Sequence, residues 1–531
     1  MTRLRYFGQA TPVLRYSNWI IAALVTLFAT YLHVLFFLNA GGLWRDEVDL
    51  VHLSLLPSVS EVWKNLPHDS CPILMHLIVR AWSATGFGNT DPSLRVLGLY
   101  VGLLLLLAFW FASWTMRTGA PLLAVTLAGL NVTMVRAGDS LRGYGLGSAL
   151  AVLTLAAIWR LSCRPSLAAF SCAVAVAVLS VQSLYQNAFL LCAVERRWRD
   201  TLPILAVGAA AAVSLLPYIP LIARANWYVF YKVGFHFSHG WEVFSAATDS
   251  PLPVFTWVWI ALWILGGLAT AICVLFWRRD RLPDRPQGLI LFAGTSLVLG
   301  AAGYAVFLKL SEYPTQPWNY VPLMAFSVIC LDAVFLTAWR WARPAAMILA
   351  VVTTATAFVF ELPPVICRQT NVDLIAAVLS SEVAPNDYVI VHPWHCGTTF
   401  KRYYKGAAPW TTLPPLEDHT VHRYDLLKAK MQTKDPIAPI IDRITSTLQS
   451  GHRVWLVGIL PVTENPLPEI LPAPNNAWGW FDPPYSFYWG AHVTQFLSAH
   501  GERAGVVMPP STNCVNPFEN LQLAAVAGWK P

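Results

Sequence analysis

The chain has 531 residues, of which 56% are hydrophobic and only 12% charged, with 24 Trp and a mean hydropathy of +0.50. Soluble globules carry roughly 25% charged residues, so this composition excludes one and specifies a polytopic membrane protein. The formal charge of +7 does not point to nucleic acid as a partner, because Arg and Lys sit in short clusters between apolar runs, as the positive-inside rule places them.

The first apolar run, from Ser17 to Leu38, follows Arg3, Arg5 and Arg15 and has no small-residue cleavage pattern after it. It reads as a signal anchor with the N-terminus in the cytoplasm. Immediately beyond it, "GGLWRDEVDL" (41–50) carries Asp46, Glu47 and Asp49. A carboxylate costs roughly 2.5 to 3.5 kcal/mol at the bilayer centre and avoids that cost just past a helix end. Taken alone, the stretch also fits a solvated helix-flanking loop. Val48, Val51, Leu55, Val59, Val62 and Leu66 then recur three or four apart, and Pro57 must break or kink that helix. Two amphipathic helices lying in the membrane interface are the expectation.

The next piece, "SCPILMHLIVRAWSATGF" (70–87), is short for a span and carries His76 and Arg80 one turn apart. Runs of spanning length follow near 93–116, 120–136, 143–160, 165–184, 201–222, 252–277, 288–309, 320–339 and 344–361, each needing roughly 20 residues for about 30 Å of hydrocarbon. If 70–87 spans, Arg136 and Arg142 fall in the cytoplasm. If it lies along the surface, Arg117, Arg160, Arg164, Arg196, Arg197, Arg199, Arg278, Arg279, Arg281, Arg340 and Arg343 become cytoplasmic instead, which obeys the charge rule far better. That choice requires a short crossing at 185–198, gives about eleven crossings, and leaves 39–92, 223–251, 310–319 and 365–531 on the outer side.

From Asn371 the pattern changes to alternating helix-like and strand-like stretches, "VDLIAAVLSSEV" then "DYVIVHP", and "IIDRITSTLQS" then "RVWLVG", with a Pro-rich loop over 461–484. A small α/β domain is expected there. The fold class is thus a polytopic α-helical membrane protein of about eleven spanning helices with a C-terminal external α/β domain. It divides into a helical module over 1–222 with external loop helices at 46–87, a transmembrane region over 223–364, and the external domain over 365–531.

Smaller signals are ambiguous by themselves. "HPWHC" offers His392, His395 and Cys396, with His419 and His422 after a loop, but no second tight pair completes a metal site, and loop histidines beside aromatics explain them. Cys367, Cys396 and Cys514 would face an oxidising space, where one disulfide can form, with Cys71 as a further candidate. Trp227, Tyr228 and Trp241 fit either sugar stacking or an aromatic belt at the headgroups. No GxGxxG or P-loop offers a cradle for a soluble nucleotide donor.

Four stretches in order, "WRDE", "HDSCPILMHLIVRAW", "SLRVLGLYVG" and "RAGDSLRGYGLGSALAVL", resemble the membrane-embedded GT-C glycosyltransferases, especially bacterial relatives of protein O-mannosyltransferases and of the aminoarabinose transferase that decorates lipid A. The resemblance covers about residues 17 to 222. It implies that Asp46, with Glu47 beside it, is the catalytic base in a first external loop. It places Arg136, Asp139, Arg142 and Tyr144 outside, and Tyr185 corresponds to the Tyr of a frequent His-Tyr pair whose His is here Leu184. Two features depart from the family. Cys71-Pro72 stands where paired prolines are common, and Trp318-Asn319-Tyr320 stands where an Arg-Tyr is frequent.

Such enzymes take a sugar from a polyprenyl-phosphate donor and pass it to an acceptor hydroxyl of an envelope glycan, lipid or protein. A single displacement inverts the anomeric centre, with the base removing the acceptor proton. The lipid-tethered phosphate departs without an acid if cations cradle it. Arg142 and Arg136 are the first candidates, then Arg95 and Lys309, for which headgroup contact or snorkelling is an equal reading. Asp69, His68, Tyr144, Tyr185 and Tyr320 are candidate substrate contacts. Asp69 fits a helix N-cap equally, and Tyr144 fits an interfacial anchor. The chemistry requires no cofactor and is compatible with a divalent cation; no metal ligands are assigned. The expected location is the bacterial inner membrane. A secondary transporter or lipid flippase would also place charges in membrane cavities, but no internal repeat is visible. A noncatalytic assembly subunit of the same fold is a third reading.

Overall fold

A computed structural model of the chain describes residues 12–191, 198–224, 236–275, 285–312, 314–339, 341–463, 467, 469–475 and 481–531. The chain divides into two compact units. Residues 1–38, 71–219 and 234–366 form one, and residues 39–70, 220–233 and 367–531 form the other. Residues 39–70, expected as part of the first helical module, thus belong with the C-terminal domain.

The first unit is helical. Among the described residues eight helices are long and apolar enough to cross a membrane: Tyr16–Asn39, Asp91–Met116, Gly143–Cys163, Leu202–Ile222, Val254–Leu275, Pro286–Ser311, Pro317–Ala338 and Ala342–Phe360. The expected count of about eleven is not reached by helices of that length. The run at 120–136 is broken into Leu122–Leu127 and Val132–Gly138, and Leu167–Ser183 has 17 residues. The expected short crossing at 185–198 begins with Asn187–Leu190 and then runs into 192–197, which lie outside the described residues.

Long-range contacts show why the broken run still traverses the bundle. His33, near the Asn39 end of the first helix, contacts Asp139. A Cβ on Gly98 would strike the Asp139 carbonyl, and one on Gly102 would strike its carboxylate. Asp139 therefore lies level with the start of Asp91–Met116, about 20 Å from that helix's far end at the α-helical rise, and the segment from 117 to 138 covers that distance. Asn131 divides it. Its side chain accepts from Met134 N, starting a new helix, and its Nδ2 donates to the Ala247 carbonyl. The beginning of Leu122–Leu127 is held by Asp332 on the buried helix Val321–Ala338, whose two carboxylate oxygens accept from Leu123 N at 3.0 Å and Ala124 N at 2.9 Å. Two hydrogen bonds to a charged group, each roughly 1.5 to 3 kcal/mol, offset the cost of a carboxylate there, roughly 2.5 to 3.5 kcal/mol.

The second unit is built on a five-stranded sheet of order β2-β1-β3-β5-β4, with β1 Tyr388–Val391, β2 Trp410–Thr412, β3 Val454–Val457, β4 Gly501–Met508 and β5 Leu523–Trp529. β1 is parallel to β2 and β3, and β5 is antiparallel to β3 and β4. The stretches read as helix and strand before and after each other are Val372–Glu382 with β1 and Ala438–Gln449 with β3. Tyr388, Ile390 and Val454 pack against Ile440, Ile444, Trp489 and Val493, while Val389, Val391, Trp455 and Val457 pack against Ile375, Leu379 and Phe400. β1 and β3 are therefore covered on both faces, which is why they read as unbroken apolar runs. Cys367 and Cys514 form a disulfide with Cα atoms 4.6 Å apart, and Cys71 and Cys396 are buried outside it.

Candidate active site

In the second unit the acidic stretch forms the helix Arg45–Ser54, followed by Val59–Asn65, with the break at Pro57. The expectation of helices lying in the membrane interface is not met by the first of these. Glu47, Val48, Asp49, Leu50, Val51, Leu53 and Ser54 are all buried within the protein, which leaves no apolar face of this helix for lipid. It lies over the edge of the sheet at which β1 and β3 end. There Asp49 Oδ1 accepts from His422 N at 2.7 Å, His52 Nδ1 lies 2.9 Å from the Thr420 carbonyl, and Glu519, just ahead of β5, accepts from Arg45 N at 2.9 Å. Because β1 is flanked by β2 on one side and β3 on the other, this edge is a topological switch point, where open α/β sheets bind ligands. Here the protein's own helix takes that place.

The three carboxylates of the stretch are thereby separated. Glu47, 1% exposed, turns back to Trp44 N at 3.4 Å and closes the helix start. Asp49, 2% exposed, is tied to His422. Asp46 keeps 24% of its side chain accessible, with Arg45 Nε 3.4 Å from its Oδ1. Arg45 itself lies beside the Trp44 and Phe518 rings, 5.6 and 5.4 Å from their centroids. Glu519 is fully buried and also accepts from Thr399 Oγ1 at 2.8 Å; burial pushes its carboxyl up to about 7 against the attraction of Arg45. His68 Nδ1 lies 4.0 Å from Asp425 Oδ1, with burial lowering its pKa and Asp425 opposing. Asp69 is buried, and the helix Leu74–Trp82 has no side-chain cap. Among the described residues no group of three His, Cys, Asp or Glu side chains is arranged to hold a metal ion.

In the first unit, Arg95 and Arg142 are 4% and 6% exposed. Both belong to the neighbourhood of Asp139: Arg95 acts on its charge, and Arg142 follows three residues later at the N-cap of Gly143–Cys163. His33 Nδ1 is 2.6 Å from Asp139 Oδ1 with both side chains buried. Arg136 is half-buried and Lys309 exposed. Tyr144 OH accepts from Asn319 Nδ2 at 3.4 Å, and Gln186 Nε2 donates to the Asn319 carbonyl at 3.0 Å, as does the Tyr304 hydroxyl. Tyr320 OH donates to the Gly240 carbonyl at 3.3 Å. Tyr185 packs edge-on to Tyr218, whose hydroxyl donates to Gln182 and accepts from Ile73 N. The "WNY" that departs from the family pattern is thus a hydrogen-bonded junction of helix ends. Trp241 packs against Phe244 and Trp257, while Trp227 and Tyr228 lie outside the described residues.

Sequence reasoning passed over His33, Asp332 and Glu519. For the first two a signal existed, since an ionisable side chain within an apolar run demands a partner. Glu519 had none, because its partners lie 474 and 120 residues away.

No protein-family model matches the chain, and no curated protein sequence matches it. Among solved structures it is similar to ArnT from Cupriavidus metallidurans bound to undecaprenyl phosphate, with 14% identity, 82% of this chain and 93% of that one covered, and a TM-score of 0.37. It is also similar to the Archaeoglobus fulgidus oligosaccharyltransferase, with 10% identity, 81% and 67% covered, and a TM-score of 0.48. At these identities and TM-scores the likeness fixes no activity for this chain.

Proposed function

We propose that the chain is an inverting membrane glycosyltransferase that moves a sugar from a polyprenyl-phosphate donor to an acceptor hydroxyl, with Asp46 as general base. The observation that carries this reading is the separation of the three neighbouring carboxylates. Glu47 and Asp49 are consumed by the fold, and Asp46 alone of the three stays accessible enough to meet a substrate. In the reaction the acceptor oxygen attacks the anomeric carbon while Asp46 takes its proton. The bond from that carbon to the phosphate oxygen breaks, and the electron pair leaves with the polyprenyl phosphate.

Arg142 and Arg95 are the groups we assign to that phosphate. An arginine at a helix N-terminus combines a guanidinium fork with the helix's partial positive charge, and burial strengthens both by excluding water. The cysteine bridge supports an oxidising location for the C-terminal domain, in keeping with an outer-face reaction at a bacterial inner membrane. An envelope glycan, lipid or protein hydroxyl is the acceptor class, and a metal is not part of the proposed step.

Lipid analysis tests the reading. A strain lacking the protein, and one carrying Asp46→Asn at wild-type levels, should both accumulate polyprenyl-phosphate sugars. Accumulation in neither would remove the enzyme reading. Accumulation only in the deletion strain would favour a noncatalytic subunit or a flippase.

A further inference from the structure

We infer that Glu519 is a positioning residue for Asp46: from the far end of the chain it fixes Arg45, and through Arg45 the orientation of the neighbouring carboxylate. The inference rests on the assignment of Asp46 as base.

Three observations converge on Arg45. Glu519 Oε1 accepts from its backbone N–H at 2.9 Å, which satisfies one of the orphan amides at the start of the helix Arg45–Ser54. Its guanidinium lies beside the ring of Phe518, the residue preceding Glu519. Its Nε is 3.4 Å from Asp46 Oδ1. Glu519 is in turn immobilised. Its side chain is fully buried, its Oε1 also takes the Thr399 hydroxyl at 2.8 Å, and its own backbone N–H donates to the Asn516 carbonyl in the turn Pro517–Glu519. β5 begins four residues later, so the turn is anchored in the sheet.

The same carboxyl also holds the side chains of Thr399 and Thr370 in the domain. What it supplies is a fixed point for the first turn of one helix, and that turn carries the accessible carboxylate. Displacing a general base by about 1 Å is enough to lower turnover about 100-fold. Tight binding of the donor does not need that precision.

The test uses full-length protein in membrane vesicles from the deletion strain, which hold the accumulated lipid-linked sugar and its acceptor. Glu519→Ala is expected to lower the rate at saturating donor by about 10-fold to 100-fold, with KM and the binding of added undecaprenyl phosphate unchanged. Glu519→Gln keeps an acceptor for Arg45 N–H but loses the charge facing the guanidinium, and should fall between Glu519→Ala and wild type. A wild-type saturating rate in Glu519→Ala overturns the inference. So does a loss of undecaprenyl phosphate binding in parallel with rate, which would mean a role in the fold only. Should Glu519→Ala not fold, Glu519→Gln decides, and an unchanged saturating rate there overturns the inference. Asp46→Asn is measured alongside. If it keeps the wild-type rate, the assignment of the base fails first, and that outcome is distinct from a failure of Glu519 alone.

Discussion

Asp332 Oδ1 accepts from Leu123 N at 3.0 Å across 209 residues of sequence, and its second oxygen accepts from Ala124 N. One acidic side chain in a helix with no other charged residue thereby satisfies two amides in the first turn of the short helix Leu122–Leu127. Asp332→Ala should leave two buried amides without acceptors, at roughly 1 to 3 kcal/mol each. The expected result is a lower unfolding midpoint of the detergent-solubilised protein, with Asp332→Asn falling between the two. An unchanged midpoint in Asp332→Ala would show that the carboxylate is not the cap.

His33 and Asp139 form a second buried pair, 2.6 Å apart. His33→Leu removes the hydrogen-bonded partner of the buried carboxylate and leaves it only the attraction of Arg95, at a cost of about 3 kcal/mol. Gly102→Ala should be destabilising as well, because its Cβ would strike Asp139 and the His33 ring together. The two changes act on one contact, so their combined effect should be less than their sum. Additive losses would separate the two sites.

The phosphate assignment distinguishes cations by burial. Arg142→Ala and Arg95→Ala should weaken binding of a polyprenyl phosphate about 10-fold or more, as expected for a charge-assisted hydrogen bond of roughly 1.5 to 3 kcal/mol. Lys309→Ala, at an exposed position, should change it less than twofold. Arg142→Lys should recover only part of the affinity, since an ammonium cannot replace the bidentate fork. Equal losses at all three positions, measured by titration, would count against the assignment.

The C-terminal domain should lose stability in mild acid. Burial holds His52, His392 and His419 at about 4, below their ordinary 6.5. A depressed basic pKa contributes stability above pH 6.5 and loses it as pH falls toward 4, because the unfolded chain takes up the proton first. Glu519, raised to about 7, has the opposite sign: its contribution is full below about pH 4.5 and is lost as pH rises through 7. Three histidines outweigh one carboxyl between pH 6.5 and 4.5. Hydrogen exchange at β1 and β3 in the full chain should therefore quicken over that interval, and more steeply in Glu519→Gln. Protection that rises on acidification would contradict the signs.

The disulfide between Cys367 and Cys514 spans 147 residues. Closing so long a loop constrains the unfolded chain, and removing the bridge with Cys514→Ala should cost roughly 2 to 5 kcal/mol. The expected readout is earlier proteolysis of the C-terminal domain while the membrane helices stay intact. Identical digestion patterns would show that the sheet does not depend on the bridge.

Much of the architecture was legible because it is local. A helix that crosses hydrocarbon must be apolar over its whole length, and β1 and β3, covered on both faces, must be apolar runs flanked by helical periodicity, so Val372–Glu382, Tyr388–Val391, Ala438–Gln449 and Val454–Val457 could be read one after another. The interruption of 120–136 was not visible, because its causes, Asn131 and the distant Asp332, lie in side-chain hydrogen bonds and not in hydropathy. The periodicity of 48–66 showed that helices form, but apolar residues on one face look the same whether they meet lipid or a protein domain.

The sequence by itself determined that this protein crosses a membrane repeatedly, that an α/β domain follows the last helix, and that acidic residues stand just beyond the first. Hydropathy and backbone periodicity are properties of neighbouring residues, and neighbours suffice to set them. Only the tertiary structure decided that 39–70 packs with 367–531, that Glu47 and Asp49 are bound up in the fold while Asp46 stays accessible, and that Glu519 reaches Arg45. Those outcomes depend on which buried donor meets which buried acceptor across hundreds of residues. Such pairings are enforced by the cost of leaving either partner unsatisfied, and they leave no periodic trace in the chain.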